Sequence, residues 1–393
     1  LAETLARNDK DYHISVLTTQ FKKNLPITET KKNVTRKGLI KHETDWGDDN
    51  WLFNQFLSSI KKSDRPSLDF VHITFPHVPY RYLPSGKKYL RNMDKIDDEG
   101  YYKEWDEDSW PAMQQMQRYL LQLGYADQML LRLVERLKEL ELYDKVVLVV
   151  TADHGTSFMS KEFSRRVSSK NVADIMPVPL FIKLPGQKQP VIIDRNVETI
   201  DILPGVLAAA GAKIDVTTAN ALEFNGVNFF DASIPERDKK VFYTLDGKNS
   251  RILKFPAHLD LTPAIFSRKN LFGEGKDSLY HFGSRPNLHG KVLAEIEALV
   301  DRKIRAEIVG NAEYNEINKD PEYVPAYITG EIVNFSNNPQ KYSIAVLVNG
   351  VVRATTANVS PEDGVTASFF ALVPEDSFQL GENKVEAVVL HEG

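Results

Sequence analysis

Three short stretches of this 393-residue chain hold residue types that can do chemistry. Asp153 and His154 follow the apolar run Val146-Val147-Leu148-Val149-Val150 and the pair Thr151-Ala152, and Gly155 comes next. A carboxylate beside a neutral imidazole suits a divalent metal of intermediate hardness. Such a metal can polarise a phosphoryl or sulfuryl oxygen and stabilise an attacking oxyanion. The plainer alternative is that Asp153 caps the next turn and His154 lies on the surface. The second stretch, His72-Ile73-Thr74-Phe75-Pro76-His77-Val78-Pro79-Tyr80, also leaves an apolar run. Pro76 and Pro79 fix the backbone around His77. A rigid histidine can donate to a substrate oxygen or protonate a leaving group. Its alternative is a turn with one structural histidine, and His72, inside the run, is read as structural. The third stretch, residues 164–171, carries Arg165, Arg166 and Lys170. An arginine fork can grip a tetrahedral anion; the alternative is a solvated basic loop.

These residues need elements to position them. Apolar runs predict strands over 12–17, 68–75, 145–151 and 178–186. The last is closed by Pro185-Gly186. Asp49 caps a predicted helix to about residue 62, with Leu52, Phe53, Phe56, Leu57 and Ile60 on one face. A long helix is predicted over 111–141, where Leu120, Leu123, Leu130, Leu133, Val134, Leu137 and Leu140 recur at helical spacing. Another follows over 198–211. Residues 18–45 read as a polar, lysine-rich surface excursion, and 84–110 as a turn-rich insertion. Strands alternating with helices imply an α/β fold with a mostly parallel sheet flanked by helices. Ligands then bind at the carboxyl ends of the strands, where Asp153 and His154 stand. Beyond about residue 300 the pattern changes to short β-like runs separated by Asn337-Asn338, Asn349-Gly350, Asp363-Gly364 and Gly381-Glu382-Asn383. This predicts a small antiparallel β-sandwich over 301–393, with an immunoglobulin-like fold as one form of it, after an α/β domain over 1–300. The charged segment 291–310 reads as a helical link.

Composition narrows the classes. Apolar residues make up 42% and charged residues 26%, a globular composition with a sizeable core. Net charge is −5 and the isoelectric point about 6.1, so no nucleic-acid partner is expected. The chain has no cysteine, which excludes disulfides, thiolate metal sites and a cysteine nucleophile within it. No apolar run approaches the ~20 residues of a membrane helix, and no signal peptide is visible. The chain opens at Leu1 inside what reads as a helix, and is expected to be a fragment of something longer.

In order and spacing these motifs resemble the sulfatase family of the alkaline phosphatase superfamily. His77-Val78-Pro79 leaves a strand. The helix with "GYADQMLLRLVERLKEL" follows, then the "TADHG" strand end, the charged loop, "MPVPLFIKLPGQ" and the "VETIDILPGVLAAAG" helix. "DSLYHFGSRPNL", over 277–288, resembles the stretch that closes sulfatase domains. The wording is similar to extracytoplasmic sulfatase-like domains of bacterial membrane proteins. The resemblance implies that Asp153 and His154 are paired ligands of a divalent metal (Ca, Mn or Mg). It implies that His77 contacts the oxygens of a sulfate or phosphate ester and acts on the leaving oxygen. Arg166 or Lys170 would be the basic substrate contact after the metal pair. Many sulfatases have Asp-Asn at this point; Asp-His is commoner among phosphoryl- and phosphonyl-transfer relatives.

The family's nucleophile is a formylglycine made from Cys or Ser in Cys/Ser-x-Pro-x-Arg, or a threonine, and nothing of that kind precedes the strand at 12–17. Ser284-Arg285-Pro286 lacks the arginine and lies at the wrong end. The nucleophile and the first strand are therefore expected outside this chain, which by itself would be inactive with half a metal site. The leading expectation is a metal-dependent sulfate-ester hydrolase acting on a small-molecule or cell-envelope ester. It would be extracytoplasmic, periplasmic or at the cell surface, and membrane-anchored through a region before Leu1. The alternatives are a phosphoglycerol or phosphoethanolamine transferase type of enzyme, and a degenerate cell-envelope binding module.

Overall fold

The computed structural model describes residues 13–18, 49–90, 104–211, 226–246, 249–275, 277–318, 320, 322–333, 342–358 and 367–391. The predicted opening helix, nearly all of the 18–45 excursion and residues 91–103 of the insertion lie outside the described residues. In chain order the elements are β1 (His13–Thr18), α1 (Asp49–Ser59), β2 (Ser67–His72), α2 (Ser109–Glu139), β3 (Leu148–Thr151), α3 (Val172–Ile175), β4 (Leu180–Lys183), α4 (Ile202–Ala209), β5 (Lys239–Asp246), β6 (Asn249–Pro256), α5 (Thr262–Phe272), α6 (Leu293–Ile296), β7 (Arg305–Ile308), β8 (Tyr327–Val333), β9 (Ser343–Val348), β10 (Val351–Ala357), β11 (Ala367–Leu372) and β12 (Val385–Leu390). They fall into two compact units. The first gathers residues 1–75, 129–155 and 176–260; the second gathers 76–128, 156–175 and 261–393. No helix among the described residues is long and apolar enough to cross a membrane.

In the first unit β1 and β2 pair in parallel, with Ile14 opposite Leu68 and Leu17 opposite Val71. β3 and β4 run antiparallel, Leu148 opposite Lys183 and Thr151 opposite Leu180. The expected mostly parallel sheet is not seen among the described residues: β1–β2 is a lone parallel pair and the other pairs are antiparallel. A parallel return needs a crossover of a dozen or more residues, usually a helix. Between β3 and β4 the helical segment is the four-residue α3, and the strand comes back in the opposite sense. β3, expected as deeply buried, is half-buried, and Phe181 of β4 is exposed, as a two-stranded ribbon covers little of either face. α1 forms as its pattern requires: Leu52, Phe53, Phe56 and, just beyond its end, Ile60 are buried together. The Arg132 guanidinium lies 5.6 Å from the centre of the Phe53 ring. Further along, Asp201 is fully buried at the start of α4. Arg237 grips it with two bonds of 2.7 and 2.8 Å, and the backbone N–H groups of Glu198 and Val227 each donate to it at 2.8 Å.

The second unit holds two three-stranded antiparallel sheets, in the orders β10-β9-β12 and β11-β8-β7. β9 is buried on both faces. Ile344, Val346 and Val348 join a cluster with Ile328 and Ile332 of β8, Phe369 and Ala371 of β11, and Val389 of β12. The intervening Ala345 and Leu347 pack instead with Leu288, Ile296, Val352 and Leu390. Alternation along a strand produces this division. Each such Val, Leu or Ile withdrawn from water contributes about 1.5–3 kcal/mol. Asn349 and Gly350 turn β9 into β10 with φ of 53° and 78°. Two positive φ angles are what a type I′ hairpin turn needs, and Asn-Gly supplies them with least strain. The segment expected as a helical link differs: α6 has four residues, and β7 follows. Arg305 and Glu307 are exposed while Ala306 and Ile308 are half-buried, a period of two that selects a strand. The boundary expected near residue 300 lies within this unit.

α2 passes through both units and matches its predicted span closely; of the predicted leucine stripe Leu137 is buried and Leu120, Leu130, Leu133, Val134 and Leu140 are half-buried, and a polar face is buried as well. Leu123 is exposed, whereas Gln114, Gln115, Gln117, Arg118 and Gln122 are buried with Leu121 and Tyr125. Buried amides and a buried guanidinium demand partners, since an unpaired one costs roughly 1–3 kcal/mol. Gln114 Nε2 donates to the Phe370 carbonyl at 2.8 Å and to Thr356 Oγ1 at 3.1 Å, and Gln117 Nε2 donates to the Leu279 carbonyl at 2.7 Å. The polar face of α2 thus docks on backbone.

Candidate active site

At the end of β3 the chain turns through Ala152 into Asp153 and His154. The His154 backbone N–H donates to Asp153 Oδ1 at 2.9 Å, so Asp153 does cap its own turn. Its second oxygen, Oδ2, stands 3.7 Å from His154 Nε2. His154 Nδ1 lies 2.7 Å from the Gly155 carbonyl. A carbonyl only accepts, so Nδ1 carries the ring proton and Nε2 is the acceptor nitrogen. A carboxylate oxygen and an imidazole lone pair therefore sit side by side, the donor chemistry a divalent cation takes. Two donors are fewer than the four to eight such ions hold. Among the described residues, no group of three or more His, Cys, Asp or Glu side chains is placed to hold a metal ion. Asp153 and His154 match a metal's ligands by donor type, and by number they would fill only part of a shell.

His77 is in the second unit. Its Nδ1 lies 2.6 Å from the Val78 carbonyl, which again places the proton on Nδ1. Nε2 is met by Arg165 Nη1 at 3.3 Å, with the guanidinium donating. The loop around His77 is held from α2. Gln122 Nε2 donates to the His77 carbonyl at 2.8 Å, and Gln122 Oε1 accepts from the Arg81 and Tyr82 backbone N–H groups at 3.0 and 3.3 Å. Arg118 Nη2 donates to the Tyr80 carbonyl at 2.9 Å and Nε to the Tyr89 hydroxyl at 3.1 Å. The Tyr327 ring of β8 covers its guanidinium at 5.2 Å. Tyr80 itself is core, packed with Trp105, Ala112 and Phe158.

The basic loop separates its three candidates. Arg165 is the one placed against His77. Arg166 lies over the Phe163 ring at 5.1 Å. Lys170 Nζ pairs with Glu162 Oε1 at 3.1 Å. The Ser168 hydroxyl and then the Lys170 ammonium hold the Glu162 carboxyl below its ordinary value, so this pair is charged at neutral pH. The loop is shaped by Asn171, fully buried. Its Oδ1 accepts from the Ser168 N–H at 2.7 Å, and its Nδ2 donates to the Phe163 and Arg166 carbonyls at 3.1 and 2.9 Å. The Ser157 hydroxyl donates to Asp174, which also takes the Arg268 guanidinium at 2.6 Å. Ser284, the serine of the Ser-x-Pro motif, donates its hydroxyl to the Thr356 carbonyl, as a closing loop would.

Sequence reasoning singled out His77 and, from the resemblance, Arg166 or Lys170; the structure sets Arg165, the third basic residue, beside His77. Sequence reasoning missed Gln122, Arg118 and Asn171. A signal existed: "MQQMQRYLLQ" puts Gln114, Arg118 and Gln122 four residues apart, a polar stripe at helical spacing beside an apolar one.

The family model for sulfatases matches residues 8–212. The chain belongs to the sulfatase family. It is 24% identical over 210 residues to an endo-4-O-sulfatase of Bacteroides thetaiotaomicron, covering 49% of this chain and 39% of that protein. The chain therefore spans about two fifths of that relative's length. Two solved structures are similar. One, from work on the metabolism of multiple glycosaminoglycans by Bacteroides thetaiotaomicron, has a TM-score of 0.38 at 22% identity, covering 53% of this chain and 46% of the other. The second, a phosphonate monoester hydrolase from Silicibacter pomeroyi, has a TM-score of 0.34 at 20% identity, covering 50% and 44%. The family assignment rests on the family model.

Proposed function

We propose that this chain is part of a metal-dependent hydrolase of sulfate esters. The observation that carries the reading is the His77–Arg165 pair, in a chain of the sulfatase family. Arg165 brings a permanent positive charge and a planar fork of donors to the Nε2 of His77. An ester oxyanion entering there would accept from the guanidinium, and His77, once Nε2 has taken a proton from water in place of the Arg165 bond, would give that proton to the leaving oxygen. In this reading His77 is the general acid, Arg165 the principal anion contact, and Arg166 and Lys170 have lesser parts. Asp153 and His154, in the first unit, would hold a divalent metal, whose chemistry when bound is that of a Lewis acid. Sulfate ester on small molecules or cell-envelope polymers is the proposed substrate, and the compartment is extracytoplasmic.

A second reading, a phosphoryl- or phosphonyl-ester hydrolase, is favoured by His154 standing where many sulfatases have Asn. The deciding experiment assays the full chain and the intact protein containing it on 4-nitrophenyl sulfate and on a phenyl phosphonate ester, with Ca²⁺, Mn²⁺ or Mg²⁺ added. Faster sulfate turnover that falls in His77→Ala and Asp153→Asn supports the proposal. Preference for the phosphonate selects the second reading, and no metal-dependent turnover by the intact protein rejects both.

A further inference from the structure

Two buried carboxamides stand behind the His77–Arg165 pair, one for each partner. Gln122 is 0% exposed, and all three of its described bonds go to the backbone of the loop over residues 77–82. Asn171 is 0% exposed, and bonds the backbone of Phe163, Arg166 and Ser168, the residues that flank Arg165. The two amides come from different segments, one in α2 and one at the end of the basic loop. Each replaces a missing secondary structure with side-chain bonds to loop backbone, which burial makes costly to break.

We propose that Gln122 and Asn171 are positioning residues that preset His77 and Arg165 as one anion receptor. Gln122 fixes the carbonyl of His77 and so the direction in which the ring leaves the chain. Within that placement the Val78 carbonyl holds the proton on Nδ1 and Nε2 faces Arg165. Asn171 gives Arg165 its starting point by bonding the carbonyl of the next residue, Arg166. Neither amide need touch substrate. The inference rests on the reading of the pair as the ester-binding group and adds the parts that hold it ready. Misplacing such groups by about 1 Å can cost roughly 100-fold in rate.

The test uses the full chain, inorganic sulfate as probe, and the ring ¹⁵N signals of His77. Gln122→Met removes all three bonds at nearly constant volume. Gln122→Glu keeps the acceptor for Arg81 and Tyr82 and loses the donor to His77, and it decides the matter if the Met variant does not fold. Asn171→Leu and Asn171→Asp form the matching pair. The expected result is a folded protein whose His77 nitrogens no longer report the Nδ1-protonated form. Sulfate affinity should fall roughly 10- to 100-fold, with no further loss when His77→Ala is added to Gln122→Glu. Folded amide variants with unchanged His77 signals and unchanged sulfate affinity overturn the proposal. If the unaltered chain binds no sulfate, the anion reading falls, while the His77 signals, which need no anion, still decide the positioning role.

Discussion

Arg165 Nη1 donates to His77 Nε2 at 3.3 Å across a sequence separation of 88 residues. A cation placed on the acceptor nitrogen of a neutral histidine leaves the pair one positive charge and several donors. Removing either partner should weaken sulfate binding. A charge-assisted hydrogen bond carries about 1.5–3 kcal/mol, so Arg165→Ala should lower affinity roughly 10- to 150-fold. Arg165→Lys should recover only part of it, because an ammonium has no planar fork. Titration calorimetry with sulfate checks both; an alanine variant that binds normally would show that Arg165 is no anion contact.

Asp201 and Arg237 set an acid limit on the first unit. Burial pushes the Asp201 carboxyl up, but the Arg237 guanidinium and the Glu198 and Val227 N–H groups outweigh it and hold it below its ordinary 3.8. The unfolded chain then binds the proton more readily. The stabilisation is full above pH 3.8 and lost as pH falls through the lowered native value. Arg237→Ala leaves a buried carboxylate uncompensated and should cost about 3–5 kcal/mol in urea unfolding at neutral pH. A loss under 1 kcal/mol would mean that Asp201 is not buried in solution.

His289 sets a milder limit in the second unit. Burial, the neighbouring His281 ring at 4.2 Å between centroids, and Arg353 hold its imidazole below the ordinary 6.5, against the Arg353 carbonyl and Asp277, which favour the proton. The native state therefore resists a proton that the unfolded state accepts. Stability should be complete above pH 6.5 and decline below it. His289→Gln should flatten this part of a Tm-against-pH curve, and an unchanged slope in that variant would assign the decline to other groups.

Gly330 in β8 admits no side chain. A Cβ there would stand 2.3 Å from the Phe369 ring and 2.5 Å from the Glu307 carbonyl. The ring is buried and the carbonyl belongs to β7, so neither gives way easily. Gly330→Ala should destabilise by about 1–3 kcal/mol in chemical denaturation. Pairing it with Phe369→Leu, which shortens the obstructing ring, should recover part of the loss.

What the sequence made legible follows from the range of the forces involved. The Asn349-Gly350 turn, α1 and the span of α2 were readable because backbone preference and side-chain period act over a few residues. His77 between prolines was readable for the same reason. The direction of β4 against β3 was not, since it depends on where the intervening chain travels. The polar face of α2 was overlooked because a leucine count rewards Leu120 and Leu123, while Gln122 and Arg118 are buried by partners found only in the fold. Residues 305–308 looked helical from their charge, yet Arg305 and Glu307 alternate with Ala306 and Ile308, and β8 was there to pair with them. Among three basic residues, only the loop drawn by Asn171 could single out Arg165.

The bonds from Gln114 to Thr356 and to the Phe370 carbonyl, and the Tyr327 ring over Arg118, bind the last ninety or so residues into the support of the His77 loop. Those strands cannot be inherited as a detachable cassette. A deletion or exchange of everything beyond residue 300 would strip the Tyr327 ring from the buried Arg118 guanidinium that holds the Tyr80 carbonyl. A substitution at Gln114, Arg118 or Tyr327 would therefore be felt at the His77 loop, although none of the three lies in it.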